Sequence, residues 1–214
     1  MSKKDVLSSE TNALAAVAGP FRAFSEKLMG EEGLLWLQAF KRFLRKENPW
    51  PTEVVPKSFP VWKTITVGGK SKKELLAELE AKRFNVGDWA KDMMAQKAFT
   101  TAFSLWEVDL VTVTVLDLGF PKGATTQEIW SKAKDLSLNL CPAEVGPHLR
   151  LAYADQPQGE YLWVAIKQIT DSDSTPRVFK VGRDGGERWL HGDGARPEGE
   201  WDPDRLIVFV LPCK

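Results

Sequence analysis

The chain has 214 residues, 43% hydrophobic and 27% charged, with 29 basic and 29 acidic residues. That balance excludes wholesale disorder and a global field that would recruit a polyanion, and no apolar run reaches the roughly 18 residues of a membrane span. The opening MSKKDVLSSETN lacks the apolar core of a secretory signal, and two cysteines, Cys141 and Cys213, cannot build a disulfide framework, so a cytoplasmic protein with no membrane partner is expected.

Residues 1–10 read as a disordered polar tail. An Ala-rich helical pattern runs from about Thr11 to Met29, with Gly19-Pro20 expected to break or kink it. Leu34 to Lys46 is the clearest helix. Leu34, Trp36, Leu37, Phe40, Phe43 and Leu44 share one side, and Lys41, Arg42, Arg45 and Lys46 the other. The helix must end before Asn48-Pro49. Residues 49–70 form a Pro-rich connector holding one alternating strand, Val61 to Val67. Ser71-Lys72-Lys73-Glu74 matches a capping box and opens a helix to about Arg83, and a shorter helix spans Val86 to Lys97.

Val108 to Leu116 is a β-branched run and reads as a strand. Thr125 to Glu128 is a second capping box, opening a helix to about Leu136. Cys141-Pro142 opens a short helical or turn segment that Gly146-Pro147 is expected to interrupt. Tyr161–Ile169, Arg177–Val181, Arg188–His191 and Leu206–Leu211 are short strands separated by Asp, Ser, Gly and Pro, the pattern of an antiparallel meander. The expected fold is therefore α+β, N-terminal helices followed by a small antiparallel β-sheet. A mainly helical part covers 11–100 and an α+β part 101–214, joined in one compact unit.

Phe43-Leu44-Arg45-Lys46-Glu47-Asn48-Pro49-Trp50 and Trp62-Lys63-Thr64-Ile65 resemble the opening of an uncharacterised bacterial protein family common in metagenomic and candidate-phylum genomes. Leu140-Cys141-Pro142-Ala143-Glu144-Val145-Gly146-Pro147, Leu149-Arg150-Leu151 and Asp155-Gln156-Pro157 extend the resemblance, which covers roughly residues 30–214. Ser137 stands where that family commonly has Gly, and His148 where it often has Gln. The second departure argues against His148 as an indispensable catalytic group. The resemblance implies relatives and supplies no mechanism.

Phosphate-loop, dinucleotide, zinc-protease and nucleophile-elbow motifs are absent, and no cofactor is expected. The densest reactive cluster is Cys141, Glu144, His148, Arg150, Tyr153, Asp155 and Gln156. Cys141 at a helix N-terminus could act as a nucleophile, with His148 as base and Asp155 orienting the ring, in a small hydrolase or transferase. The bland alternative is a buried Cys141 and a Glu144–Arg150 pair at a tight turn. Thr125 to Tyr153 also reads as a helix–turn–helix, and Asp171-Ser172-Asp173 and Asp184-Gly185-Gly186 as loops with oxygen donors for Ca²⁺ or as plain turns.

The charge is unevenly placed. From Gln38 to Lys73 nine basic residues face two acidic ones, whereas from Ala154 to Asp204 eleven acids face six bases. The basic stretch is interleaved with aromatics. Lys41, Arg42, Arg45, Lys46, Trp50, Trp62 and Lys63 are thus the expected binding residues for nucleic acid or an acidic protein partner. The function expected from sequence is an accessory or regulatory binding protein, and an enzyme at 141–156 is the alternative.

Overall fold

The structure, a computed structural model, describes residues 19–30, 32–46 and 59–212. The chain divides into two units, Met1–Pro56 and Lys57–Lys214. In the first, residues 19–28 are helical (α1) and are followed by α2, Gly33–Leu44. Gly19 and Pro20, expected to break or kink the helix, are the first described residues of α1, and the polar tail expected at 1–10 lies outside the described residues. Phe24 of α1 meets Phe40 of α2 with ring centroids 4.8 Å apart, and Lys27 lies over the Trp36 ring. Ala39 is buried, but Leu34, Phe43 and Leu44 of the expected apolar side are exposed.

The second unit is built on β1 (Lys63–Val67), α3 (Lys72–Ala81), β2 (Asn85–Val86), α4 (Asp88–Ala95), β3 (Trp106–Thr114), β4 (Ala124–Thr125), α5 (Thr126–Asp135), α6 (Val145–Ala152), β5 (Tyr161–Val164), β6 (Ile169–Thr170), β7 (Pro176–Asp184), β8 (Glu187–Gly194), β9 (Glu200–Trp201) and β10 (Leu206–Val210). Both capping boxes form. Ser71 and Thr125 accept from the backbone N–H of Glu74 and Glu128, whose carboxylates reach back to the cap N–H groups. α3 and α5 end in Schellman motifs without glycine. Phe84 N–H donates to Leu79 O across Arg83, and Leu138 N–H to Ala133 O across Ser137; Arg83 and Ser137 are left-handed at φ 58° and 60°.

The α+β class holds, but the sheet is neither small nor purely antiparallel. Eight strands join in one sheet, ordered β1-β3-β10-β5-β7-β8-β2 with β6 on β7, and the β10–β5 and β2–β8 pairs are parallel. β4 and β9 form a separate two-stranded ladder. The physical reason lies in β10. Ile207, Val208, Phe209 and Val210 are all buried, a run apolar on both faces that must be central and covered on both sides. β3 flanks it and draws β1 into the same sheet.

Gly146-Pro147 does not interrupt α6 but sits in its first turn. There the missing proline N–H costs nothing, because that donor has no partner inside the helix anyway. Gly146 lets α6 lie directly on the sheet: a Cβ at this position would stand 2.6 Å from Cγ of Phe179 in β7. α3, α4 and α6 cover this face with Leu75, Leu79, Met93 and Leu149, packed on Leu162, Phe179, Val181 and Leu190. On the opposite face α5 covers part of the sheet, with Trp130 edge-on to Phe209 at 5.8 Å.

Candidate functional site

The groups of the 141–156 segment lie on and around α6, and most are buried. Cys141 is 4% exposed, its Sγ donates to Val208 O at 3.5 Å, and burial raises its pKa. Such a thiol is not an activated nucleophile. Glu144 precedes α6 without capping it. Its carboxylate accepts from Ala102 N–H, with both oxygens at 3.2 Å, and from Gly68 N–H and the Trp106 indole. It thereby fastens the Gly68-Gly69 turn and the loop before β3 to the start of α6. Burial raises its pKa, and these bonds oppose the rise. His148 Nε2 lies 3.8 Å from Glu144 Oε2 and has no hydrogen-bond partner among the described residues, and burial, with Lys70 adding to it, lowers its pKa to about 4.

Arg150 is fully buried and does not pair with Glu144. Its guanidinium donates to Gln156 Oε1 at 2.5 Å, to Gly182 O at 3.1 Å and to Tyr153 O. Tyr153 is buried, and burial, then a hydrogen bond with Glu160, raises its pKa. Asp155 is exposed. The structure thus brings Glu144 to His148, and Arg150 to Gln156 and Tyr153; no hydrogen bond joins Cys141 or Asp155 to His148 among the described residues. The helix–turn–helix reading fails, because α6 is buried from Val145 to Arg150 and presents no recognition face. Asp171 is committed within its own turn, accepting from the N–H groups of Asp173 and Thr175 and pairing with Arg177. Among the described residues no group of three His, Cys, Asp or Glu is placed to hold a metal ion.

Of the expected basic-aromatic surface, Lys41, Arg45 and Lys46 are exposed and Arg42 is half-buried on and just after α2. Lys41, Arg42 and Lys46 make no ion pair among the described residues. Trp50 lies outside the described residues. Trp62 and Lys63 belong to the other unit and are engaged at home. The Trp62 ring meets Tyr153 edge-on at 5.1 Å, and Lys63 Nζ stands 5.0 Å from the centre of the Tyr153 ring.

The most developed site lies on the sheet face away from α6, where α5 leaves β5, β7 and β8 uncovered. Strand alternation puts Tyr161, Trp163, Lys180, Trp189, His191 and Asp193 on this face, with Trp163 opposite Lys180 and Lys180 opposite His191. Gly182 shares it, and the Tyr161 ring lies where a Gly182 Cβ would be, 2.6 Å from Cδ1. Asp193 Oδ2 accepts from the Trp163 indole at 2.8 Å and from Lys180 Nζ at 3.1 Å, while Oδ1 accepts from Gly194 N–H. Burial pushes the Asp193 carboxyl up, but the Trp163 bond and Lys180 hold it below its ordinary value. Burial, and then Lys180, lower the His191 pKa, and its ring stacks on Trp189 at 5.0 Å.

Cations already occupy the Trp163 ring. Lys180 Nζ lies 5.5 Å and the Arg205 guanidinium 4.7 Å from its centre, and Trp201 meets it edge-on at 6.0 Å. Arg205 is held by Asp202 at 3.1 Å. A cavity of about 190 Å³ opens among Trp163, Asp193, Glu200, Trp201 and Arg205. A second, of about 360 Å³, opens among Tyr161, Trp163, Asp202, Asp204 and Arg205. Trp163 and Arg205 line both. Four carboxylates, Asp193, Glu200, Asp202 and Asp204, surround two cations, so the local field is negative and favours a cationic group over a polyanion. None of the binding residues expected from sequence lies on these strands. The available signal was Tyr161 and Trp163 at period two beside the apolar Leu162 and Val164, which puts two aromatics on a face opposite the core.

No protein-family model, curated protein or solved structure matches this chain.

Proposed function

We propose that this protein acts by binding, and that the Trp163 site receives a cationic group, an ammonium or guanidinium carried by a small ligand or a partner's side chain. The observation that carries the reading is the pair of internal cations, Lys180 and Arg205, resting on the Trp163 ring within a carboxylate rim. An incoming cation exchanges with Arg205, whose exposed link to Asp202 is a weak tether. Aromatic faces and carboxylates both favour it, and tryptophan is the strongest of the ring partners. Burial of Cys141 and Glu144 supports binding over the hydrolase or transferase alternative at 141–156.

Titrating N-acetyl-arginine amide while following tryptophan fluorescence tests this reading. Saturable quenching is expected, weakened at least tenfold in a Glu200→Gln, Asp204→Asn double variant. An equal response to an uncharged sugar, or none to the cation, would sink it.

A second reading keeps the expected basic surface: a nucleic acid or acidic protein docks on α2, favoured by the exposure of Lys41 and Lys46. Binding to single-stranded DNA should then fall steeply with salt and vanish when Lys41, Arg42, Arg45 and Lys46 become Ser. A salt-insensitive interaction removes this reading.

A further inference from the structure

Three arginines meet where α6 ends against the turn of the β7–β8 hairpin. Arg183 and Arg188 are direct cross-strand partners, an arrangement of like charges that destabilises a ladder unless something offsets it. Arg150, fully buried, lies behind them with its guanidinium 5.1 Å from the centre of the Phe84 ring. Arg183 gives one N–H to Gln156 O at 2.8 Å. None of the three forms an ion pair among the described residues. Each leaves its Nε–H buried without an acceptor among the described residues. Buried polar groups are nearly always hydrogen-bonded, and three orphaned guanidinium donors in one place are an unusual concentration.

The surrounding charges do not neutralise them. Arg188 and Arg183 each depress the Arg150 pKa, after burial, to about 10, which places all three in one electrostatic environment. Glu160 is the carboxylate that opposes them, and its Oε2 also lacks a partner among the described residues. Glu187, bound to Asn85 Nδ2 at 3.0 Å, and Asp184, bound to Tyr161, keep their charge but form the next cross-strand pair and so project to the other face of the hairpin. On the face toward α6 three guanidinium groups meet one carboxylate, Glu160, which leaves an excess of two positive charges there. A phosphate monoester carries roughly −1.5 to −2 at pH 7 and three acceptor oxygens. The planar guanidinium fork matches a phosphoryl group in geometry as well as sign. Arg183 and Arg188 are half-exposed, so the cluster is open to solvent on their side.

We propose that Arg150, Arg183 and Arg188 form a receptor for a phosphoryl group, with Arg183 and Arg188 meeting it and Arg150 held behind them as the buried positive base. This site lies across the sheet from Trp163 and is independent of the cation-binding reading.

Inorganic phosphate titrated into the full chain by calorimetry at pH 7 tests it, against sodium acetate and sodium chloride at matched ionic strength. Saturable binding to phosphate alone is expected. The melting temperature should rise by roughly 5–10 °C when phosphate reaches one hundred times its Kd. Arg188→Gln should weaken binding at least tenfold, and Arg188→Lys, which keeps the charge and loses the fork, should fall between. Acetate binding as tightly as phosphate, no saturable heat, or an undiminished affinity in Arg188→Gln would each overturn the proposal. The comparison of anions uses the unaltered protein, so it stands even if a variant fails to fold.

Discussion

Replacing Gly146 by Ala tests how α6 is seated. The added Cβ would lie 2.6 Å from both Cδ2 and Cγ of Phe179 and 2.7 Å from its Cβ. Rotating the Phe179 ring relieves only part of this, because the Phe179 Cβ is itself in the way. The helix cannot slide aside freely, since Val145 and Leu149 on either side are fully buried. Overpacking of this kind costs about 1–3 kcal/mol, and this site belongs at the upper end. Alanine returns up to about 1 kcal/mol through its better helix propensity. The net loss is about 2 kcal/mol, or a fall in Tm of roughly 4–8 °C for a chain of this size. Calorimetry with urea titration measures it. A double-mutant cycle with Phe179→Ala isolates the contact: the single change costs about 3–5 kcal/mol, and the pair should fall short of additivity by more than about 1 kcal/mol. A Gly146→Ala protein as stable as the parent, or strict additivity, would refute this account of α6.

The two Schellman turns give the next expectation. Arg83→Gly and Ser137→Gly should each stabilise by about 0.5–1 kcal/mol, since a left-handed L-residue costs about 1–2 kcal/mol and part of the gain is lost to a freer unfolded chain; a lower urea midpoint for either would contradict the left-handed assignment. His148 supplies a pH dependence. Its folded pKa of about 4 lies below the ordinary 6.5, so the unfolded chain binds more protons between those values, and stability falls as pH drops through that window. His148→Gln should flatten that limb, and an unchanged slope would show that other groups produce it. With Cys213 changed to Ser, Cys141 should resist a thiol reagent in the native state and react once the chain is unfolded, because burial raises its pKa; rapid labelling of the native protein would place the thiol elsewhere.

Local signals carried through from sequence to structure wherever one segment contains the whole interaction. Ser71 with Glu74 and Thr125 with Glu128 close their caps within four residues, so the helices they open follow directly. The alternation in Val61 to Val67 and the β-branched run Val108 to Leu116 supply most of β1 (Lys63–Val67) and β3 (Trp106–Thr114). What did not carry through is long-range. β10 read as the last strand of a meander, but its neighbours are β3 and, in parallel, β5, and only the absence of polar residues in Leu206–Val210 hinted at a central place. The reactive reading of 141–156 failed to gather for a similar reason. Proximity along the chain says nothing about direction: Cys141 and Glu144, before α6, face Val208 and Ala102, and Arg150 on α6 faces Gln156.

The summed charge of residues 154–204 hides where those charges are placed. Residues 154–204 carry an excess of five acids, yet they contribute both a negative site and two members of a positive one. Strand alternation sorts them. On β7, Lys180 and Gly182 face the Trp163 side, whereas Phe179, Val181 and Arg183 face α6, where Arg188 of β8 and Arg150 join Arg183. Any window summed along the sequence averages over both faces and cancels the contrast. Gly182 belongs to both: its missing side chain makes room for Tyr161 on one face, and its carbonyl accepts from Arg150 behind the other. A sheet one residue thick can therefore carry opposite charge on its two faces, because the apolar row of Leu162, Phe179 and Val181 packs against helix on one side while Lys180, His191 and Asp193 stand on the other.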